Sequence, residues 1–301
     1  MVSRRTLLAL PVAAAVTPGL PARQSPGTMQ LAMHQNTSRG AGFRGSLEGW
    51  ARASIRNVEI NDVLLNQFLQ HDTLSGARTL LADLGLQPVS AAAVLPDIWI
   101  PGPARAASLE TWRKRCEQYA VLGLKKLYCP SITSRPVTRA DFDATPQCIR
   151  EVGDIAQGHG LTAMIEFARN STHLATLPST LEVLRAANHP AVRPMLDFFH
   201  FYSGLSKLED LDLLKPGELA HVHFQDLLAG PRELIDNDWR LIPGDGIAPV
   251  VPMLLKLAQK GYAGPLSVEL FRAEFVNGDP AAVATAIRGK CETVMRTAKV
   301  L

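Results

Sequence analysis

The stretch Ala163-Met164-Ile165-Glu166-Phe167 is a short apolar run with one carboxylate near its carboxyl end. A run of this length and composition predicts a buried β-strand. Similar runs recur from Met29 onward, and segments of helical period separate them. The predicted strands are residues 29–34, 57–60, 88–94, 126–129, 161–167, 193–198, 219–224 and 266–270. Alternation of this kind predicts a parallel sheet that is covered by helices.

The helical segments complete eight strand–helix units, which fit a single-domain (β/α)8 TIM barrel over residues 29–301. The predicted helices are one that Ser46 opens, then residues 63–84, 108–122, 145–157, 179–187, 208–214, 247–261 and 280–298. The alternative is a doubly wound open sheet, which would require a glycine-rich phosphate loop after the first strand. Gly40, Gly42 and Gly45 do not form the GxGxxG pattern, so the closed barrel is favoured.

The bulk composition is that of one large globular domain. The chain has 301 residues, 47% of them hydrophobic, and a formal net charge of +3 without a basic run. Proteins that bind nucleic acid usually show a clustered basic face, so no nucleic-acid partner is expected. The four cysteines are widely scattered and form no CxxC pair, which predicts free or buried thiols. The oligomeric state is left open.

The N-terminus carries a targeting pattern. Arg4 and Arg5 directly precede the modest apolar run 9–16, and small residues and prolines follow. This layout predicts a twin-arginine export signal and leader over residues 1–28, and therefore a periplasmic or exported protein. The alternatives are a disordered basic leader or a start codon assigned too early, either of which leaves the protein in the cytoplasm. The apolar run is too short for a helix to cross a bilayer core of about 30 Å, so stable membrane insertion is not expected.

Four late strands share one pattern, an ionisable residue near the carboxyl end with apolar neighbours on both sides. These residues are Glu166, Asp197, His223 and Glu269. Strand residues alternate in facing, so the apolar neighbours would pack outward and the polar residue would face the barrel axis. One such residue alone is commonly an N-cap or a hydrogen-bonded core residue. Three carboxylates gathered at the axis would repel one another, and a single divalent Mn, Mg, Co or Zn ion resolves that conflict.

Three stretches of the second half resemble the xylose-isomerase-like superfamily of sugar isomerases and epimerases. They are Leu196-Asp197-Phe198-Phe199-His200-Phe201-Tyr202-Ser203-Gly204, His221-Val222-His223-Phe224-Gln225-Asp226 and Arg240-Leu241-Ile242-Pro243-Gly244-Asp245-Gly246. The C-terminal stretch 267–275 is most similar to the inosose isomerases of inositol catabolism. The resemblance runs from about Met29 to the C-terminus and is dense after Leu161.

The resemblance implies a role for several residues. The metal ligands of that family fall on Glu166, Asp197, His223 and Glu269, and its substrate-contacting histidine falls on His200. His221 would point the same way as His223 from one layer deeper. Ketose 3-epimerases carry an arginine and a glutamate where this chain has Ala229 and Thr172, so the usual free-ketohexose pocket is not expected.

Further polar residues are placed to line the mouth of the pocket. His34 ends the first strand and Glu59 lies in the second. Arg240 lies in the loop after the seventh strand, and Arg272 follows Glu269 by three residues. Either guanidinium could hold a substrate hydroxyl or carboxylate, with a solvated surface position as the alternative. His200, Arg240, Arg272 and His34 are therefore the candidate substrate-binding residues.

The expected activity is that of a metal-dependent isomerase or epimerase, acting on a sugar, a keto-sugar or an inosose-like cyclitol. Glu166 and Glu269 would remove and return a proton next to a carbonyl group, and no organic cofactor is needed. The alternatives are a metal-dependent lyase or dehydratase on the same barrel, or an exported sugar-binding barrel without catalysis. The abasic-site endonucleases of the superfamily carry extra histidines from early strands, and strand 88–94 supplies none.

Overall fold

The computed structural model describes residues 28–301. The predicted twin-arginine signal, with Arg4 and Arg5, lies outside the described residues. Within them, no helix is both long and apolar enough to cross a membrane. All four cysteines are buried free thiols, as the sequence predicted.

Eight parallel strands form the barrel wall. They are β1 Gln30–His34, β2 Asn57–Ile60, β3 Gln87–Ala91, β4 Lys126–Pro130, β5 Thr162–Glu166, β6 Val192–Asp197, β7 His221–His223 and β8 Pro265–Val268. Their order around the wall is β3-β2-β1-β8-β7-β6-β5-β4. The ring closes through a parallel bridge between Ala92 and Tyr128, where the Ala93 N–H donates to the Tyr128 carbonyl at 2.8 Å. The predicted single-domain (β/α)8 barrel is therefore confirmed.

Helices cover the outside of this wall and lie between its strands. They are α1 Gly42–Arg52, α2 Asp62–Phe68, α3 Leu74–Asp83, α4 Arg105–Val121, α5 Arg139–Gly158, α6 Leu177–Ala187, α7 Phe198–Ser203, α8 Val250–Gln259, α9 Ala273–Val276 and α10 Pro280–Thr297. Short 3-10 helices span Gln35–Ala41, Leu208–Leu213, Arg232–Leu234 and Asn237–Trp239. The connection after β1 therefore begins as a 3-10 helix.

Capping side chains explain two helices that differ from the prediction. The single helix predicted over residues 63–84 is wrong, because Thr73 begins a second helix by accepting the Gly76 N–H at 3.0 Å. The helix predicted from residue 145 begins at Arg139, because Thr138 and Asp141 form a capping box. N-caps of this kind stabilise a helix by about 1 kcal/mol, so they outweigh the hydrophobic period in fixing where a helix starts.

Two apolar regions hold the barrel together. The larger lies between the strands and the helices and contains the buried side chains of Trp50, Trp112 and Phe167. The smaller fills the barrel interior and consists of Ala92, Tyr128, Met164 and Met195. Met164 and Met195 lie two residues before Glu166 and Asp197 on the same strands, so they lie beneath the polar residues at the carboxyl end, in a layer that includes His221.

A short antiparallel ribbon follows β7, formed by Asp226–Leu227 and Arg240–Leu241. The Asp226 carboxylate holds the loop beyond it, because it accepts the backbone N–H groups of Gly244 and Gly246 at 3.0 Å and of Ala248 at 2.8 Å. A Cβ atom at Gly246 would lie 2.3 Å from the Leu227 carbonyl oxygen, so this close approach requires glycine. The ribbon carries Arg240, which pairs with Leu227.

Candidate metal centre

The structure brings Glu166, Asp197, His223 and Glu269 together at the carboxyl end of the barrel. The first three end β5, β6 and β7, and Glu269 directly follows β8. One ligand atom from each residue lies within 4.8 Å of the others. The flanking apolar side chains are fully buried: Ile165, Phe167, Leu196, Phe198, Val222, Phe224, Val268 and Leu270. The alternation of strand residues therefore turns each ionisable group toward the axis.

His223 stands at the centre of this cluster. Its Nδ1 lies 3.0 Å from Glu166 Oε1, 3.3 Å from Asp197 Oδ2 and 3.4 Å from Glu269 Oε2. Both Nδ1 and Glu166 Oε1 are buried without a hydrogen-bond partner among the described residues. Buried polar atoms are nearly always satisfied, and a cation bound between these two atoms would give both of them a partner. Three carboxylates and one imidazole are a donor set that suits a divalent metal ion.

Electrostatics agree with that assignment. Burial raises the pKa of Glu166 to about 7. Burial opposes the ionisation of Asp197 and Glu269, but the Arg240 guanidinium and the neighbouring histidines together lower the pKa of both carboxyls. Burial also opposes the charged form of His223, but the surrounding carboxylates raise its pKa well above the usual value. The cluster therefore attracts positive charge strongly.

Glu59 supports His223 from below. Its Oε2 lies 3.1 Å from His223 Nε2 and 3.0 Å from His221 Nε2, and the side chain is fully buried. The prediction that Glu59 lines the pocket mouth is wrong, because the side chain is fully buried against His221 and His223. A carboxylate on Nε2 fixes the orientation of the imidazole so that Nδ1 faces the cluster, an arrangement that is common behind metal-binding histidines.

Replacing Glu59 by Gln should weaken Mn²⁺ binding by about 10-fold to 100-fold, because the neutral amide holds and polarises His223 less strongly. Calorimetric titration of metal-free protein measures the change. Glu151→Gln is the matched control, because Glu151 is half-exposed and pairs with Arg105 away from the cluster. An unchanged Mn²⁺ affinity in Glu59→Gln would show that Glu59 does not position the metal ligand.

Asp197 and His200 are joined by the first turn of α7. Asp197 Oδ1 accepts the His200 N–H at 2.7 Å as the N-cap, which leaves Oδ2 to face the cluster. The His200 ring lies beside the cluster, with Nδ1 3.4 Å from the Arg169 backbone N–H and Nε2 3.4 Å from Arg240 Nη2. Burial lowers the pKa of His200 to about 4, so the ring is neutral near pH 7.

Arg240 is the least expected member of the site. Its Nη1 donates to Asp197 Oδ2 at 2.6 Å and to Glu269 Oε2 at 2.8 Å. The guanidinium also lies 4.5 Å from the Phe199 ring centroid and 5.0 Å from that of Phe271. The sequence predicted an arginine that holds a substrate, and the structure gives it carboxylate partners within the protein. A contact with substrate stays a prediction.

The other two candidate substrate-binding residues, His34 and Arg272, differ from each other in burial. His34 was expected at the pocket mouth but is fully buried, with Nδ1 accepting the Asn36 N–H at 3.0 Å and Nε2 3.1 Å from the Tyr128 hydroxyl. Arg272 is partly exposed and pairs with Glu274, so the structure does not bring it into the cluster. Their contact with substrate also stays a prediction.

Asn36 is a polar contact that sequence reasoning missed. Its side-chain amide donates to Glu269 Oε1 at 2.8 Å, and its oxygen accepts from the Asn61 amide at 2.7 Å. Since Arg240 donates to the other oxygen, both oxygens of Glu269 are held in place. The one signal for Asn36 is its position two residues beyond the end of β1, at the same end of the barrel.

Comparison with known proteins agrees with this fold. The model of the xylose isomerase-like TIM barrel family matches residues 56–290, which is more than half of the chain. The chain belongs to this family. Membership agrees with the observed barrel and with the position of the cluster at its carboxyl end, where barrel enzymes carry their active sites.

Two relatives and one solved structure are similar to this chain at low sequence identity. The inosose isomerase of Halalkalibacterium halodurans is 27% identical over 148 residues, which is 48% of this chain and 52% of that enzyme. The 3-dehydroshikimate dehydratase of Pseudomonas putida is 29% identical over 135 residues, 42% of this chain and 20% of that enzyme. A crystal structure of the IOLI protein with a zinc atom superposes with a TM-score of 0.83 at 20% identity, covering 89% of this chain and 99% of that one. The family member described here is thus related to inosose isomerase over about half of that enzyme's length.

Proposed function

We propose that this protein is a divalent-metal-dependent isomerase or epimerase of a sugar, a keto-sugar or an inosose-like cyclitol. The observation that carries the proposal is the buried cluster of three carboxylates and His223, in which Nδ1 and Glu166 Oε1 have no hydrogen-bond partner within residues 28–301. Family membership and the similarity to inosose isomerase support it. No organic cofactor enters the proposed reaction.

The cluster would hold the ion through Glu166, Asp197, His223 and Glu269. When bound, Mn²⁺, Mg²⁺, Co²⁺ or Zn²⁺ would polarise a substrate carbonyl and stabilise the negative charge that develops on its oxygen. Glu166 ends β5, and Glu269 directly follows β8. In the barrel wall, β6 and β7 lie between these two strands. The two carboxylates therefore approach a bound substrate from separate sides. One removes the proton next to the carbonyl, and the other returns a proton to the product.

His200 is suited to hold a substrate oxygen. A neutral imidazole has one acceptor nitrogen, so His200 cannot accept from both the Arg169 N–H and Arg240. Its Nδ1 faces the Arg169 backbone, which leaves Nε2 to carry the hydrogen beside Arg240 Nη2. The Nε2–H group of His200 and the Nη2–H group of Arg240 are then neighbouring donors. Both could donate to one substrate hydroxyl or carbonyl oxygen without a change in protonation.

A panel of aldoses, ketoses and inososes tests the proposed activity. Incubation with Mn²⁺, followed by chromatographic separation, should show interconversion of two isomers that stops when a chelator removes the ion. A protein that binds Mn²⁺ but converts no member of the panel would contradict the proposal. Binding of a sugar without turnover would favour the alternative of an exported sugar-binding barrel without catalysis.

A lyase or dehydratase on the same barrel is the second candidate. Removal of a proton next to a carbonyl can end in loss of water, and the similarity to a 3-dehydroshikimate dehydratase is the observation that favours it. The same panel, extended to hydroxylated cyclic keto acids, distinguishes the two activities. An elimination yields a conjugated product that absorbs ultraviolet light, whereas an isomerase yields a product of unchanged mass.

We also propose that the enzyme is exported through the twin-arginine route, on the sequence pattern Ser3-Arg4-Arg5-Thr6-Leu7-Leu8. Replacing Arg4 and Arg5 together by Lys should keep the protein in the cytoplasm, as immunoblots of cell fractions would show. Arg23→Lys, a conservative change later in the predicted leader, is the matched control. Unchanged periplasmic recovery of the double variant would remove the twin-arginine proposal.

A further inference from the structure

Arg240 contacts two carboxylate oxygens that a bound cation would also contact. Its Nη1 bonds Asp197 Oδ2 and Glu269 Oε2, and the same two oxygens face His223 Nδ1 at 3.3 and 3.4 Å. A metal ion held by the cluster therefore meets oxygens that already have a positive partner. Phe199 and Phe271 also flank the guanidinium, and only 2% of its side chain is exposed, so the aromatic rings help to hold it beside these oxygens.

The charges of these residues indicate how Arg240 affects metal binding. The three carboxylates, when ionised, carry three negative charges, and Arg240 neutralises one of them. With His223 neutral, as a metal ligand must be, the remaining two negative charges balance one divalent ion. The Glu59 carboxylate behind His223 adds one more negative charge. Without Arg240, the same carboxylates would attract a divalent ion more strongly, because charges a few ångströms apart in a buried site interact much more strongly than in water.

We infer that Arg240 is a built-in counter-cation that stabilises the carboxylate cluster without metal and lowers its affinity for divalent ions. The inference rests on the metal-binding part of the proposed function. It assigns to Arg240 a role that is separate from any contact with substrate. In the alternative role, Arg240 would only orient Asp197 and Glu269 as ligands. Removal of Arg240 would then weaken metal binding.

Calorimetric titration of metal-free full-length protein with Mn²⁺ separates these two roles by the sign of the change. Arg240→Met, which is uncharged and of similar length, should bind Mn²⁺ about 10-fold or more tightly than the natural protein. Arg240→Lys keeps the charge and should stay close to the natural affinity. Arg272→Met removes a cation near Glu269 in sequence that does not contact the cluster, and it should leave the Mn²⁺ affinity unchanged.

Thermal unfolding gives a second readout. Arg240→Met should lower the melting temperature of the metal-free protein more than that of the Mn²⁺-loaded protein, because the ion replaces the lost positive charge. Arg240→Gln provides the same comparison if the methionine variant does not accumulate as folded protein.

Equal or weaker Mn²⁺ binding by the uncharged variants would overturn the inference, even where the natural protein converts a substrate. An absence of Mn²⁺ binding in both the natural protein and Arg240→Met would overturn it together with the metal-dependent function. These two failures are therefore distinguishable.

Discussion

Replacing Glu269 by Gln should lower turnover by about 100-fold or more on any substrate that the metal-loaded protein converts, because an amide cannot accept a proton. Glu269 Oε1 accepts from Asn36 and Oε2 from Arg240, each at 2.8 Å. The amide of Gln retains an oxygen that can accept from Arg240 and contact an ion, so the metal should remain bound. Steady-state kinetics and elemental analysis of the same sample measure the two effects separately.

Glu292→Gln is the matched control for this variant. Glu292 is an acid on the outer surface of α10 that pairs with Arg296, so its replacement should change neither turnover nor metal content. Near-natural turnover by Glu269→Gln would show that Glu269 is a ligand only. Proton transfer would then depend on Glu166 alone or on a bound water.

His223→Ala should fail in a different way, because it removes a ligand with little direct part in proton transfer. The affinity for Mn²⁺ should fall by roughly 100-fold or more, since four ligands share a binding free energy on the order of 10 kcal/mol. Excess Mn²⁺ should then restore part of the activity, in contrast to Glu269→Gln. Activity measured against Mn²⁺ concentration gives the shift directly.

His159→Ala controls for the loss of a histidine, because His159 is exposed at the end of α5. Circular dichroism with and without Mn²⁺ checks that the His223 variant keeps its fold. Full activity of His223→Ala at the natural Mn²⁺ requirement would remove His223 from the metal site.

The barrel and its inward-facing polar residues could be predicted from local sequence because both follow from alternation along each strand. Ile165 and Phe167 pack outward, so Glu166 turns inward without reference to any other strand. The same reasoning turns Glu59 inward between Val58 and Ile60. Its burial depends on contacts with His221 and His223 of β7, which no local pattern specifies. Those contacts decide between the pocket mouth and the buried position.

Contacts between distant segments were also beyond local patterns. Arg240 reaches Asp197 and Glu269 only because Leu227 pairs with it in the ribbon. Asn36 reaches Glu269 across 233 residues of sequence. The hydrophobic period shows which face of an element is buried, but it does not show which elements meet. The contacts of Arg240 and Asn36 with Glu269 could therefore be found only in the three-dimensional structure.

Deuterium incorporation tests the central claim, metal-dependent proton transfer between two carboxylates, most directly. A converted ketose or inosose would be incubated in D₂O with Mn²⁺, quenched with a chelator and analysed by mass spectrometry. Because Glu166 and Glu269 act on different sides and the returning carboxylate takes its proton from solvent, the product should gain one deuterium per conversion. The gain should vanish without Mn²⁺ and in Glu269→Gln. A product formed at the natural rate without deuterium would contradict proton transfer between two carboxylates.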